Sequence, residues 1–315
     1  MQNQLLKILI KNTIHGDLMD GFLLVDKAGD MTSHDVVAIA RKNLNTKKVG
    51  HAGTLDPMAT GVLVLGVGIA TRLLPYITDG KKAYEATISL GSSTHTDDKE
   101  SDVTFKASSE VISSITDQKI TEEISRFKGI IKQKPSSVSA IKIDGKSAHA
   151  RVRAGEAIDI PERDVEIEQI EVKQIRHLSD AIEVDISVIC MAGTYIRAIA
   201  RDLGSALKSG GHLTFLRRTL VSPFLLDQCQ VINEAKLIPV SEVIDKIFTI
   251  RRIEATEKQE ILFGRTIDQN SISGVVAALD ENDNFVALLE NKLQGSAMVA
   301  APILVNTSSQ QSGVK

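Results

Sequence analysis

Two segments of the chain alternate between apolar and polar side chains. In 82–90 every second residue from Tyr84 to Leu90 is apolar, and 180–190 shows the same alternation. A period of two residues is typical of β-strands with one buried face. Both segments therefore predict half-buried strands, and Tyr84 is expected to face inward. Short uninterrupted apolar runs predict buried strands at 22–25 and 62–65.

Helical periodicity predicts helices between these strands. Apolar residues three or four positions apart mark a helix at 34–44, with Ser33 as its N-cap, and another at 116–127 that ends at Gly129. A further helix is expected to begin at Tyr195. From about residue 248 the pattern changes, and short apolar runs predict strands of a small β domain at 274–279, 285–289 and 297–305.

Length and charge narrow the class of protein. The chain has 315 residues, enough for two domains or for one large domain with an appendage, and its formal net charge is −3. This balance argues against a protein covered in basic charge but allows a local basic groove. The two cysteines, Cys190 and Cys229, predict a reduced, cytoplasmic setting rather than a disulfide framework.

Several classes of site and setting are excluded by the pattern of residues. No apolar run is long enough to span a membrane, and the cysteines and histidines lack metal-ligand spacing. The glycines of segment 66–68 are not followed by the third glycine of a dinucleotide-binding loop. The sequence therefore predicts no cofactor, no metal and no membrane association.

Segment 50–61 carries the clearest candidate chemistry. It reads Gly-His-Ala-Gly-Thr-Leu-Asp-Pro-Met-Ala-Thr-Gly, so a single carboxylate, that of Asp56, stands among three glycines and a proline. Pro57 pushes Asp56 out of the helical region, and Gly53 and Gly61 permit backbone conformations or close approaches that a Cβ would block. Such a loop holds one acid in a fixed pose, as a catalytic carboxylate requires. A plain Asp-Pro turn is the alternative.

Several motifs resemble the TruB family, the tRNA pseudouridine-55 synthases. Segment 53–61 is similar to that family's signature around its catalytic aspartate, and Gly-Thr-Tyr-Ile-Arg at 193–197 is a second strong match. Segment 212–219 is a third. Segment 26–33 resembles the motif Asp-Lys-Pro-x-Gly-x-Thr-Ser, with alanine in place of the proline and aspartate in place of the glycine.

The resemblance implies an α+β fold. This pseudouridine synthase fold has a central mixed, mainly antiparallel sheet flanked by helices, followed by a small C-terminal PUA-like β domain that docks RNA. The expected parts are an N-terminal extension at 1–18, disordered or upstream of a start at Met19; a catalytic domain at 19–245; within it a thumb insertion at about 134–160 that closes on the tRNA T-arm; the PUA-like domain at 246–305; and a disordered tail at 306–315.

The resemblance also implies roles for three central residues. Asp56 matches the catalytic aspartate, Arg197 the arginine that pairs with it, and Tyr84 the tyrosine that stacks on the target uracil. The first turn of a helix is unfavourable for a cation, so a carboxylate partner for Arg197 is physically reasonable. The structural alternatives are a turn aspartate, an ion pair elsewhere and a core tyrosine.

Other residues are implied to bind the substrate. His51 would help to fill the space that the target base leaves, Tyr195 and Leu216 would line the pocket, and Lys27 would support the site or contact RNA, unless it is simply solvated. The thumb contributes cations that are expected to contact phosphates, with an ordinary exposed loop as the alternative: Lys142, Lys146, Arg151 and Arg153.

Two other segments carry charge without a decided role. Arg217 and Arg218 are expected to contact phosphates or to be solvated. The polar segment 94–102 is expected to form a solvated loop.

The implied reaction is isomerisation of uridine 55 in the tRNA T loop to pseudouridine. The base leaves C1′ through N1, turns in the pocket and rejoins through C5, while Asp56 either adds to C6 or removes the C2′ proton. The alternative function is a non-catalytic tRNA-binding or tRNA-folding module in which Asp56 is structural. No obligatory protein partner is expected, although guide-RNA-dependent relatives offer a second enzymatic interpretation.

Overall fold

The computed structural model describes residues 20–136, 142–143, 146–147 and 160–307, of which 142–143 and 146–147 are described by their main chain. The predicted extension 1–18, the side chains of all four thumb cations and the tail beyond 307 lie outside the described residues. Asn306, where the tail was expected to begin, donates its main-chain N–H to the Val286 carbonyl at 2.7 Å. The folded chain therefore includes this residue.

A large mixed sheet forms the centre of the molecule. Its strands are β1 (Gly21–Lys27), β2 (Val49–His51), β3 (Thr60–Val67), β4 (Lys82–Leu90), β7 (Gly129–Gln133), β10 (Arg163–His177), β11 (Ile182–Cys190), β12 (Gly211–Val221), β13 (Phe224–Leu225) and β14 (Ile238–Pro239). The spatial order is β14-β1-β3-β12-β4-β11-β10-β7, with β2 beside β3 and β13 beside β12. β3 and β12 pair in parallel and the other described neighbours are antiparallel. This confirms the predicted sheet.

Smaller sheets complete the strands. Two hairpins are formed by β5 (Ser92–Thr94) with β6 (Val103–Lys106) and by β8 (Lys142–Ile143) with β9 (Lys146–Ser147). The C-terminal sheet contains β15 (Thr249–Arg252), β16 (Ile267–Asp268), β17 (Val275–Leu279), β18 (Phe285–Gln294) and β19 (Ala297–Val305). Its order is β15-β17-β18-β19-β16.

The helices of the described residues lie against the central sheet, except the last, which packs on the C-terminal sheet. They are α1 (Ser33–Asn43), α2 (Leu74–Thr78), α3 (Ser109–Ser113), α4 (Asp117–Ser125), α5 (Ile196–Ala206), α6 (Ile244–Ile247) and α7 (Ala255–Leu262). Short 3₁₀ turns occur at Gly68–Arg72, Leu226–Gln228 and Val240–Glu242. Among the described residues, no helix combines the length and the apolar character needed to cross a membrane.

The described residues form four buried apolar clusters, of which three include residues of the central sheet. α4 and α5 pack on the inward residues of β4 and β11, as the alternating pattern predicted. α1 packs on one face of β1 and β3. On the other face, Phe22 and Val64 belong to a buried cluster that also includes Ala277, Leu288 and Leu304 of the C-terminal sheet. Both faces of β1 and β3 are therefore covered, which explains their uninterrupted apolar sequences.

The start of α1 corrects one prediction. Thr32, not Ser33, is the N-cap: its hydroxyl accepts the Asp35 N–H at 3.1 Å, and the Asp35 carboxylate accepts the Thr32 N–H at 2.8 Å in a capping box. Ser33 is fully buried, and its hydroxyl bonds to Leu55, 22 positions along the chain. Both residue types can cap a helix, so local sequence could not decide between them.

Candidate active site

Asp56 lies in the loop that joins β2 to β3. Gly53 and Gly61, on either side of it, have φ angles of +85° and +102°. An added Cβ on Gly61 would overlap the main chain of Arg218 on β12. The two glycines are therefore used as predicted, one for its backbone conformation and the other for close strand contact as well.

Asp56 and Arg197 form a two-point ion pair. The Arg197 Nε atom lies 2.8 Å from Asp56 Oδ2, and its Nη2 atom donates to Oδ1 at 3.1 Å. The arginine side chain is 5% exposed, whereas that of the aspartate is 32% exposed. The carboxylate thus reaches an open surface from a buried guanidinium that fixes its orientation.

A second aspartate contacts the far side of Arg197. Asp98 Oδ2 lies 3.5 Å from Arg197 Nη1, and the same Nη1 donates to the Thr96 carbonyl at 2.6 Å. The Asp98 side chain is only 3% exposed. The prediction of a solvated loop at 94–102 is therefore wrong for this residue. Hydrogen bonds from the Thr96 hydroxyl and the Glu100 N–H satisfy its other oxygen.

Apolar residues form a floor beside the carboxylate. Tyr84 and Leu216, from the neighbouring strands β4 and β12, share a buried cluster with Leu55 and Met58 of the loop. Burial raises the pKa of the Tyr84 hydroxyl, so the ring is neutral at physiological pH. The structure therefore brings Tyr84 and Leu216 together with the Asp56 loop.

Lys27 holds the main chain of the loop that carries Asp56. It is buried, and its Nζ donates to the carbonyls of Ala28, Met31 and Pro57 at 2.9, 2.6 and 3.1 Å. Burial lowers its pKa to about 8. The alternative of a simply solvated lysine is therefore wrong, because Lys27 is 1% exposed. Asp30 stands where the motif at 26–33 has glycine in the family. It adopts φ 60°, a left-handed conformation that aspartate tolerates.

His51 and Tyr195 belong to different elements, the end of β2 and the start of α5. The half-buried His51 ring meets His34 edge-on, with centroids 5.6 Å apart, and burial lowers its pKa. Tyr195 is the N-cap of α5, and the Gln133 side chain bonds to both its N–H and its carbonyl, at 2.8 and 3.1 Å. The Arg163 guanidinium lies over the Tyr195 ring, 5.1 Å from its centroid.

Arg218 differs from the prediction made for it, whereas Arg217 is partly exposed. Arg217 pairs with Asp26 at 2.7 Å. Arg218 is 1% exposed, so it is neither solvated nor free to contact a phosphate. Its Nε donates to Val62 at 2.8 Å, and its Nη2 and Nη1 donate to Gly53 and Thr54 at 3.0 and 3.5 Å, in each case to the carbonyl. Strand alternation from Leu216 was the available signal, because it places residue 218 on the same inward face.

Comparison with known proteins shows the family of the chain. A family model described as TruB family pseudouridylate synthase, N-terminal domain, matches residues 41–196. A curated Rhodococcus jostii protein named tRNA pseudouridine synthase B is 48% identical over 290 residues, 90% of this chain and 94% of that protein. The chain belongs to the TruB family. A Corynebacterium diphtheriae protein of the same name is 44% identical, over 90% of this chain and 96% of that protein.

Solved structures agree with the TruB-family fold. The chain is similar to a protein in the structure of an H/ACA RNP bound to a substrate RNA containing 2′-deoxyuridine, with a TM-score of 0.66, 22% identity, and coverage of 91% of this chain and 85% of that one. An archaeal box H/ACA sRNP Nop10–Cbf5 complex gives a TM-score of 0.65 and 23% identity, with 92% and 86% coverage. At these identities the likeness concerns the fold.

Proposed function

We propose that this TruB-family pseudouridine synthase isomerises uridine 55 in the T loop of tRNA, with Asp56 as its catalytic residue. The observation that carries the proposal is the two-point Asp56–Arg197 pair, in which a buried cation presents a partly exposed carboxylate. The curated relatives named tRNA pseudouridine synthase B support tRNA as the substrate.

The chemistry needs a charged carboxylate and a place to hold a flipped base. Arg197 supplies the opposite charge beside Asp56 and holds one edge of its carboxylate. The Tyr84 ring offers a surface on which the uracil can stack, and Leu216 lies in the same apolar floor. His51 is the candidate to occupy the gap that the base leaves, and Tyr195 lines the approach from α5.

The bond changes balance without an external reactant. The N1–C1′ bond breaks and a C5–C1′ bond forms, while C5 releases a proton and N1 of the product carries one. Asp56 either adds to C6 to allow the base to turn or removes the C2′ proton so that a glycal forms. Neither route requires a redox step or a group donor, and we expect purified protein to act on a tRNA transcript without a protein partner.

The test replaces the carboxylate by an amide of the same shape. In Asp56→Asn the turn is retained, so we expect tRNA binding and thermal stability close to wild type and no conversion in single turnover with enzyme in excess. Pseudouridine formation is followed by tritium release from C5-labelled uridine in a tRNA transcript, and the site is mapped to position 55.

Asp185→Asn is the matched control. Asp185 is also an arginine-paired aspartate, 30% exposed, but it contacts Arg176 on β10 rather than the loop. Full activity is expected for this variant. Appreciable conversion by Asp56→Asn, with deamidation excluded by mass spectrometry, would reject the catalytic assignment and favour a tRNA-binding module in which Asp56 is structural.

A further inference from the structure

Arg218 is one of the largest fully buried side chains among the described residues. Removing a guanidinium from water costs free energy, which good hydrogen-bond geometry has to offset. Here the three nitrogens donate in two directions: Nε to β3 at Val62, and the two terminal nitrogens to the loop at Gly53 and Thr54. The side chain therefore ties β12 to the loop that carries Asp56.

Ser33 ties the same loop to α1. Its hydroxyl accepts the Leu55 N–H at 2.9 Å and donates to the Leu55 carbonyl at 3.2 Å. Both main-chain groups of the residue before Asp56 are thus held by a single buried oxygen. On the other side of Asp56, Lys27 holds the Pro57 carbonyl.

These contacts together fix the main chain around the carboxylate. The carbonyls of residues 53, 54, 55 and 57 each accept a hydrogen bond from a buried side chain. Arg218 is also the strand partner of Tyr84 in the antiparallel pairing of β12 with β4. The same residue is therefore bonded to the loop of Asp56 and paired through its main chain with the residue proposed to hold the base.

We infer that Arg218 and Ser33 are positioning residues, which hold the main chain of the 53–57 loop so that Asp56 faces the base stacked on Tyr84. This inference rests on the proposed role of Asp56. Arginine suits the position because its planar fork reaches β3 and two loop carbonyls at once, whereas a lysine ammonium is a single point of charge. Ser33 suits its position because one hydroxyl both donates and accepts.

The experiment compares the rate of chemistry with tRNA affinity in two variants. In Arg218→Lys the charge remains but the fork is lost, and we expect the single-turnover rate to fall about 100-fold, since a displacement of about 1 Å can cost this much. In Ser33→Ala one hydroxyl is lost, and we expect a fall of about tenfold. The dissociation constant for the tRNA transcript is expected to remain at the wild-type value in both.

Two controls separate positioning from a general loss of structure. The stoichiometry of tRNA binding reports the fraction of correctly folded protein, and rates are expressed per binding-competent molecule. Arg176→Lys makes the same substitution at an arginine that pairs with Glu183 and Asp185, away from the loop. We expect this variant to retain the wild-type rate.

Wild-type rates in folded Arg218→Lys and Ser33→Ala would overturn the inference, as would losses explained by fewer binding-competent molecules. If Arg218→Lys does not fold, Ser33→Ala decides. The outcome is distinct from that of Asp56→Asn. An inactive Asp56→Asn beside fully active Arg218→Lys and Ser33→Ala rejects only the positioning inference, whereas an active Asp56→Asn rejects the proposed function.

Discussion

Arg197 is held between two carboxylates of different exposure. The Asp56 carboxylate pairs with Nε and Nη2 of Arg197. The buried Asp98 carboxylate and the Thr96 carbonyl both contact Nη1. A cation at the second residue of α5 opposes the helix dipole, and two acids offset that cost. Because the guanidinium is held on both sides, it can turn little, and the Asp56 carboxylate is held in one orientation.

Replacing Arg197 by lysine tests the importance of this orientation. In Arg197→Lys both carboxylates keep a cationic neighbour, so the fold should persist, but the two-point contact with Asp56 is lost. We expect the single-turnover rate to fall about 100-fold. The control is Arg201→Lys, one turn further along α5, where the arginine pairs with Asp97 and Asp202. Equal rates in the two variants would contradict the orienting role.

At the scale of elements, the site depends on the parallel pairing of β3 and β12. Gly61 lies opposite Arg218 at this junction, and its missing side chain lets the two main chains approach. The junction also places Arg218 under the loop and Leu216 in the apolar floor. A single close contact between strands thus sets the relation between Asp56 and the pocket.

Gly61→Ala tests this junction. Alanine would be strained at the positive φ of this position, and its Cβ would overlap the Arg218 carbonyl. We therefore expect the free energy of unfolding to fall by about 3 kcal/mol. Gly129→Ala is the control, because Gly129 has a similar φ of +98° but an added Cβ would meet nothing within 4 Å. Urea denaturation measures both. Equal losses would show that the close approach contributes nothing beyond backbone strain.

The sequence predicted the strands and helices better than the contacts between them. The alternating segments 82–90 and 180–190 and the two apolar runs located four central strands, because burial of strand faces leaves a direct signal in the sequence. The cap of α1 was misplaced by one residue because the partner of Ser33 lies 22 positions away. The roles of Asp98 and Arg218 were missed because the partner that defines each role is distant in sequence: Arg197 for Asp98, and the carbonyls of Gly53 and Val62 for Arg218.

At the scale of the whole molecule, the predicted thumb emerges beside the site. Segment 134–160 follows β7, whose last residue, Gln133, bonds to both main-chain groups of Tyr195. Tyr195 in turn precedes Ile196 and Arg197 on α5. The root of the thumb is therefore tied to the element that orients Asp56. The cytoplasmic setting, the domain boundaries and the RNA-docking role of the C-terminal sheet stay predictions.

The last prediction concerns the positive charge of the predicted thumb. The whole chain has a net charge of −3, yet residues 131–153 contain six lysines and arginines against one aspartate. A local excess of one sign inside an acidic protein indicates phosphate contacts, each of which releases counterions when tRNA binds. Replacing all four predicted contacts by glutamine, at Lys142, Lys146, Arg151 and Arg153, should weaken tRNA binding and flatten its dependence on salt.

The expected change follows from counterion release. Each lost contact reduces the slope of log affinity against log salt concentration by about 0.7 to 0.9, so four lost contacts reduce it by about 3. The control removes the same net charge at exposed positions outside the thumb: Lys106, Lys119, Arg126 and Lys173. Because a shift in overall charge alone would affect both proteins similarly, only the thumb variant should lose slope to this extent. An unchanged slope in the thumb variant, or the same reduction in the control, would assign 134–160 to the ordinary exposed loop that the sequence also allowed.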